Sequence, residues 1–580
     1  MAPFIDDTVY VDWHTRFIFY GLVAVVSGLW MIHRWQQQSR LFRLGNVLPG
    51  PEAVPFFGNA LLALGKKPDR ELVNVGLEYA DRYGTVIRGW LGSKLIVFLL
   101  DPEDIEVILN SQVHIDKAPE YRFFKPWLGE GLLISTGTGN KWRSHRKMIA
   151  PTFHINILKS FVGVFNQNSK NVVEKLQKEI GKTFDVHDYM STATVDILLE
   201  TAMGITRKTQ DESGFDYAMA VMKRMCDIIH QRHYKFWLRF DTIFKFSSFF
   251  EKQKQLLGII HGLTNKVQVI KNKKQTYLEN KNKGIVPPTL AELTKNEEDG
   301  SVLANDAKTL SDAVFKGYRD DLDFNDENDV GKGEKKRLAF LDLMIESAQN
   351  GTHQLTDHEI KEEVDTIMFE MFQGHDTTAA GSSFVLCLLG IYKDVQAKVY
   401  DELYSIFGDS DRPATFADTL EMKYLERVIL ETLRLYPPVP VIARKLNRDV
   451  HIGNYNYVTN NYLIPANTTV VIGTYKVHRS PKHYKDPDTF NPDNFLPENM
   501  ANRHYYSYIP FSAGPRSCVG GRKYALLKLK ILLSTILRNY ECTSTVPEKD
   551  FKLLGDIILK RSDGFRLQIA PRIRKPTNAV

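Results

Sequence analysis

Ten residues near the C-terminal end of the chain, Phe511-Ser512-Ala513-Gly514-Pro515-Arg516-Ser517-Cys518-Val519-Gly520, set one cysteine among glycines and an arginine just ahead of an apolar helical stretch. Such a loop restricts the fold. A cysteine acting as a thiolate ligand needs backbone and amide donors close around its sulfur, and the glycines at 514 and 520 permit that approach. Cys518 reads as the axial ligand of a haem iron, and Arg516, two residues earlier, as a partner for a haem propionate. Thiolate ligation pushes electron density onto iron and favours O–O cleavage, which marks an oxygen-activating haem rather than an oxygen carrier. The plainer alternative, a buried cysteine in a turn, gives no reason for the other four residues at these spacings.

Three upstream patterns bear on the same chemistry. Glu431-Thr432-Leu433-Arg434 lies in a helical stretch, where i and i+3 side chains share a face and can pair. The run Tyr436-Pro437-Pro438-Val439-Pro440 then stops that helix. By itself the pair could equally be a solvated helix face. Trp142-Arg143-Ser144-His145-Arg146 offers an indole N–H and a guanidinium, both suited to a propionate; an interfacial aromatic beside a basic patch is the alternative. Between them, the apolar spacing from Glu362 to Leu389 predicts a long helix interrupted by Gly374-His375-Asp376-Thr377-Thr378. A mid-helix threonine can turn its hydroxyl to the i−4 carbonyl and bend the helix, opening room for dioxygen. A kink without chemistry would leave the same trace.

Together these residues resemble the cytochrome P-450 monooxygenases, whose Trp-x-x-x-Arg motif, Gly-His-Asp-Thr-Thr helix, Glu-x-x-Arg pair and haem loop occur in this order. The resemblance implies a mainly α (α+β) fold with small β-sheets, built around haem b. It makes Cys518 the iron ligand, packs Phe511 against the thiolate side, and gives Trp142, Arg146, Arg516 and Arg444 to the propionates. Glu431 and Arg434 become a structural pair that holds the haem-side core. Thr377 and Asp376 become the catalytic residues, assisting dioxygen reduction by hydrogen bonding and proton delivery. Electrons then come from NADPH through NADPH-cytochrome P-450 reductase, with cytochrome b5 as a second donor. Arg522, Lys523 and Lys528 form a docking face for an acidic donor or, equally, an ordinary solvated helix face.

Three departures qualify the likeness. Sequences of the family's fourth clan usually carry Glu directly before Gly-His-Asp-Thr-Thr, and that Glu can esterify a haem methyl; here Gln373 stands there. Met371-Phe372-Gln373 reads as an insertion that moves Glu370 away by about 300° of rotation and roughly 4.5 Å of rise, unless a π-bulge absorbs part of it or the gene model differs. Glu370 is therefore the residue on which a covalent haem link would depend. Secondly, Pro492-Asp493-Asn494-Phe495 has Asn494 where the family has an arginine that completes the ion-pair network. Thirdly, residues 290–336 are polar and rich in Asp, Glu, Asn and Lys, which reads as a solvated insertion before a helix Arg337 to Gln349. Its Asp326-Glu327-Asn328-Asp329 run lacks the alternation, glycine and distal glutamate of a calcium loop.

Phe17 to Ile32 is a run of 16 residues without a charge, about 24 Å as helix. Trp13, Tyr20, Trp30 and Trp35 can anchor its ends, and Arg34, Arg40 and Arg43 predict a cytosolic C-terminal side. Without a small-residue cleavage site it reads as an uncleaved signal anchor. The expected organisation is an anchor at 1–36 with one transmembrane helix and a basic, proline-rich hinge at 37–56. One haem-thiolate domain follows at 57–571, insertion included, then a tail at 572–580. That places the chain in the endoplasmic reticulum membrane, single-pass, with its catalytic domain in the cytosol. A 43% hydrophobic, 25% charged composition suits a sizeable core. The +6 net charge without a basic block argues against nucleic acid as a partner, and four scattered cysteines suit a reducing compartment. Strand-like runs fall at Thr85 to Leu99 and Asn454 to Gly473. The aromatic and basic stretch 228–250 suits either core or a lipid surface.

An insertion of this kind in a clan-four sequence resembles the insect G-subfamily of oxidative decarbonylases, which make cuticular hydrocarbons. That resemblance implies an apolar long-chain substrate, a very-long-chain aldehyde, converted to a hydrocarbon one carbon shorter with loss of carbon dioxide. A fatty-acid ω-hydroxylase or xenobiotic monooxygenase would use the same motifs. A reductase-independent haem-thiolate isomerase and a haem sensor are more distant readings.

Overall fold

Trp13–Gln38 form helix α1, and within it Arg16–Gln38, 23 residues of mean hydropathy 1.5 with none of the span buried, is long and apolar enough to cross a membrane. The computed structural model describes residues 13–63, 71–136, 140–204, 224–264, 267–283, 339–350, 355–453, 461–519, 521–555 and 557–572. Ser39 alone separates α1 from α2 (Arg40–Gly45), which it caps by accepting the Phe42 N–H. Phe42 stacks on Trp90 with centroids 4.1 Å apart and planes 5° apart. A Cβ on Gly45 would stand 2.6 Å from the same indole, so only glycine lets α2 lie this close. Asn46 Oδ1 then accepts from Trp90 Nε1 and Arg88 Nη1, each at 3.1 Å. The stretch read as a hinge is thus fastened to the domain from Arg40, which pairs with Asp449, onward.

Trp90 belongs to a hairpin of β1 (Val86–Leu91) and β2 (Lys94–Leu99), turned by Gly92 at φ 61°. β3 (Ile442–Lys445) runs antiparallel to β4 (Thr469–Ile472), which lies parallel to β2, giving one four-stranded sheet. Residues 116–118 extend its edge: Lys117 bridges Arg444, and Asp116 O accepts the Lys445 N–H at 2.9 Å. The strand-like run Thr85 to Leu99 is therefore a hairpin, and of the second run residues 454–460 lie outside the described residues. Remaining strands form small sheets of two or three, and everything else regular is helical.

The longest element is α4, Asp357–Ile391, preceded in chain order by α3 (Asn140–Ile149) and followed by α5 (Lys423–Leu435) and α6 (Gly521–Asn539). At 35 residues α4 is about 52 Å long, and a capping box between Thr356 and Glu359 starts it. From Ala379 to Leu389 it is apolar or small all round and buried, the pattern of a helix through the middle of a core. It packs against Val186–Leu198, α5, α6 and the strand Tyr540–Ser544. The expected interruption at Gly374–Thr378 is not there, since the backbone is α-helical from 357 to 391 without a π turn. Two hydroxyls in this helix bond back to it without breaking it, Ser383 and Ser382 both donating to Ala379 O at 2.6 and 3.1 Å, whereas the buried Thr366 and Thr378 hydroxyls have no hydrogen-bond partner among the described residues. The acidic stretch 290–336 lies outside the described residues, and the helix after it begins at Phe340.

A buried histidine joins α5 to the approach of the cysteine loop. His478 is wholly buried; its Nδ1 lies 3.3 Å from Arg434 O, while its Nε2 accepts the Ile509 N–H at 2.8 Å. These partners require the neutral Nδ1–H form. Burial, with Arg434 nearby, pushes its pKa down to about 3. The unfolded chain therefore takes up a proton near pH 6.5 that folded His478 refuses until about pH 3, so its contribution to stability is full above that window and declines as pH falls through it. Thermal melting between pH 7 and 4 should show a smaller loss of stability in His478→Gln than in the parent chain.

Candidate active site

Cys518 is held by a tight turn: its N–H donates to Phe511 O at 3.0 Å, and Ser517 N–H donates to Gly514 O at 2.9 Å. Gly514 has φ 71°, and a Cβ there would stand 2.0 Å from Leu109 O, so the loop passes under the chain at Leu109 only as glycine. A Cβ on Gly521, the first residue of α6, would stand 2.2 Å from Cys518 Sγ. The clearance beside the sulfur thus belongs to Gly521, which sequence reasoning passed over; Gly520 lies outside the described residues. Cys518 is the exposed one of four thiols. Cys226, Cys387 and Cys542 are buried, and burial pushes the latter two up to about 12, far from thiolate chemistry.

Cys518 opens into a cavity, partly open to solvent, whose empty space with that solvent included is about 1200 Å³. Apolar side chains dominate its wall, among them Leu132, Leu433, Pro438, Val439, Ile442 and Leu529. Thr377 on α4 lines it as well, as do Phe511, Trp142, Arg146 and Arg516. Asp376 and Glu370 stand on the α4 backbone, and their side chains lie outside the described residues.

The cationic groups gather in an ordered set. Arg146 donates from Nη1 to Ser517 O at 2.8 Å, so α3 is tied to the residue before the cysteine. Arg516 is buried, donates to Leu133 O and Ser135 O, and stacks over the Trp142 ring at 4.5 Å. Arg444 is 1% exposed and gives Nη1 to Ala443 O at 3.3 Å, while its Nη2 has no hydrogen-bond partner among the described residues. Burial holds its pKa below the ordinary value. Tyr121, on the cavity wall, sits within the fields of both Arg444 and Arg516. A buried guanidinium N–H left open next to an apolar cavity is costly unless an anion meets it. With a clearance beside an accessible sulfur, cations to one side and an apolar wall elsewhere, these residues fit a haem, propionates toward Trp142, Arg146, Arg444 and Arg516, and Cys518 toward iron.

The Glu431–Arg434 pair lies beneath. Both side chains are fully buried, with Arg434 Nε and Nη2 donating to Glu431 Oε2 and Oε1 at 2.7 and 2.8 Å. Burial opposes the charge on Arg434, and its bonds to Glu431 outweigh that and raise its pKa. Arg434 also donates to His478 O, Pro487 O and Thr489 O. Glu431 Oε1 accepts from Asn491 N at 2.8 Å and from Asn494 Nδ2 at 3.0 Å. Asn494 therefore fills, with a neutral amide, the place for which the sequence offered no replacement. Arg503, stacked over Tyr484 at 4.3 Å, donates to Asn494 O and holds it there.

Two surface expectations change. Lys528 is wholly buried, so it cannot belong to a docking face, whereas Arg522 and Lys523 are half-buried. Burial pushes Lys528 down to about 7. The aromatic stretch divides: Leu238 and Phe244 are core, while Phe240 and Phe246 are exposed at 57% and 89%.

A methyl group at Gly521 should crowd the sulfur. Gly521→Ala is expected to purify with less haem than the parent and to lose the thiolate-type reduced carbon monoxide band, while melting of its apoprotein stays close to the parent's.

A sequence model of the family "Cytochrome P450" matches residues 48–569. The chain is 54% identical over 577 residues to Cytochrome P450 4g15 of Drosophila melanogaster, covering 96% of this chain and 97% of that protein. It is 52% identical to Cytochrome P450 4g1 of the same organism, covering 95% and 94%, and 37% identical to Cytochrome P450 4V2 of Homo sapiens, covering 93% and 91%. With the thiol loop, the buried Glu431–Arg434 pair and the cavity all in family order, this chain belongs to the cytochrome P450 family, with relatives in its family 4.

Proposed function

We propose that this haem-thiolate monooxygenase is an oxidative decarbonylase of very-long-chain aldehydes. The observation that carries this reading is the identity with the two G-numbered insect proteins, well above that with 4V2. The acidic stretch at 290–336, characteristic of the resemblance to that subfamily, supports it too. The balance is RCHO + O2 + NADPH + H⁺ giving RH + CO2 + H2O + NADP⁺: the bond between the chain and the aldehyde carbon breaks, and that carbon leaves fully oxidised.

Haem b, when bound, supplies the reductive activation of dioxygen, with electrons from NADPH passed through a reductase. The chain's own residues do the rest. Cys518 offers its sulfur to iron, and the Phe511 carbonyl, by accepting the Cys518 N–H, fixes the turn that aims it. Trp142, Arg146, Arg444 and Arg516 hold the charged edge. Leu132, Leu433, Val439 and Ile442 exclude water from the space an alkyl chain would fill. Thr377 places a hydroxyl on that wall, where it can hold or pass a proton, with Asp376 one residue before it on α4. The membrane-length helix α1 fits an anchor that keeps the domain beside a lipid reservoir of such substrates, on the cytosolic face of the endoplasmic reticulum.

Membranes carrying the chain and a reductase, given NADPH and a labelled very-long-chain aldehyde, should yield a hydrocarbon one carbon shorter and labelled carbon dioxide in equal amounts, only with NADPH. Hydroxylated fatty acid without hydrocarbon would replace this reading with the ω-hydroxylase one. Thr377→Ala should keep consuming NADPH while hydrocarbon falls by about 100-fold.

A further inference from the structure

Helix α3 carries two interleaved i,i+4 pairs that face different parts of the molecule. Trp142 and Arg146 face the cavity and the cysteine loop. Lys141 and His145, each one residue earlier and so about 100° around the helix, face α4. Lys141 Nζ pairs with Glu362 Oε2 at 2.9 Å. His145, 4% exposed, places Nδ1 2.6 Å from Oε1 of Glu363, and its Nε2 lies 4.0 Å from Glu359. Glu363 is 0% exposed. Its second oxygen accepts the Leu132 N–H at 3.1 Å, and Glu362 Oε1 accepts the Glu130 N–H at 2.8 Å. The loop so held is the one whose carbonyls, at Leu133 and Ser135, receive Arg516 from the other side. Gly131 in that loop lies so close to α4 that a Cβ would stand 1.9 Å from Thr366 Oγ1.

We infer that His145 and Glu363 are positioning residues for the cofactor. Their buried contact fixes the rotation of α3 and the height of the 130–135 loop, and through them the places of Trp142, Arg146 and Arg516. A side chain that merely filled space between α3 and α4 would leave α3 free to turn by a fraction of its 100° step, carrying Trp142 and Arg146 with it. Glu363 prevents this because one carboxylate grips both moving parts: the imidazole on α3 and the amide of Leu132. The inference rests on reading Trp142, Arg146 and Arg516 as haem partners, and its test separates the two claims.

Haem transfer from purified holoprotein to an excess of apomyoglobin measures how tightly the cofactor is held, without reference to catalysis. Glu363→Gln keeps shape and the Leu132 acceptor but weakens the bond to His145, and His145→Ala removes the imidazole. Each should speed haem loss by roughly five- to tenfold, and the double variant should lose haem no faster than the worse single one. Arg146→Gln serves as the reference for the cofactor reading. Gln396→Ala serves as the structural control, because Gln396 fastens the far end of α4 by bonds to Leu389 O and Cys542. It should melt earlier yet hold haem as the parent does. Unchanged haem loss in both His145 and Glu363 variants while Arg146→Gln accelerates it would overturn the inference alone, and so would equal acceleration by Gln396→Ala. No effect of Arg146→Gln would overturn the reading beneath it. Should His145→Ala fail to fold, Glu363→Gln with His145→Asn carries the same comparison.

Discussion

The bond network of the buried Glu431–Arg434 pair sets the level on which the site is built. One guanidinium gathers the carbonyls of His478, Pro487 and Thr489, and one carboxylate gathers the Asn491 and Asn494 donors. Tyr508 adds a bond from its hydroxyl to Leu430 O on the same helix, and His478 hands the Ile509 amide across to it. The segment entering the cysteine loop is therefore hung from α5 at several points before it reaches Phe511. Removing two charges from water is costly, and only a network that satisfies nearly every donor and acceptor makes such a pair tolerable. Here the network is also the ruler that places a sulfur.

The cavity is the opposite case. Arg146 and Arg516 line a partly open space with a largely apolar wall, and Arg444, with a buried unpaired donor among the described residues, stands behind Tyr121 of that wall. A protein folded without its cofactor carries the desolvation cost of such groups. An anionic cofactor edge relieves it, so binding and folding are linked, and the holoprotein is the more stable form by mass action as well as by contact. The proposed haem partners come from α3, β3 and the cysteine loop, three pieces far apart in sequence, and Arg146 already ties α3 to the loop through Ser517 O.

How much of this was legible in the residues follows from range. The cysteine loop, the Glu431–Arg434 pair and the Trp142–Arg146 pair are local patterns, and each falls where the spacing put it. The membrane-length helix is likewise a run that needs no partner. What escaped was set by distant approaches: the clearance at Gly521 depends on how α6 begins, the role of Asn494 on Arg503 and Tyr484, and the burial of Lys528 on the helices around α6. The expected break in α4 did not form: Ser383 bonds back to i−4 within an unbroken helix, and the Thr378 hydroxyl makes no hydrogen bond among the described residues. The task of Gly521 in particular shows only in the folded backbone, where its missing Cβ clears the space beside Cys518 Sγ.

Ser39 is the whole of the break between α1 and α2, and α2 is pinned to the hairpin by the Phe42–Trp90 stack. Such a joint behaves as a strut and not as a leash. A long linker would leave the domain free to swivel about α1; one residue leaves it a narrow cone. Under the proposed anchoring of α1, the mouth of the cavity keeps a nearly fixed bearing to the lipid plane, and lateral diffusion, more than rotation of the domain, brings an electron donor to its face.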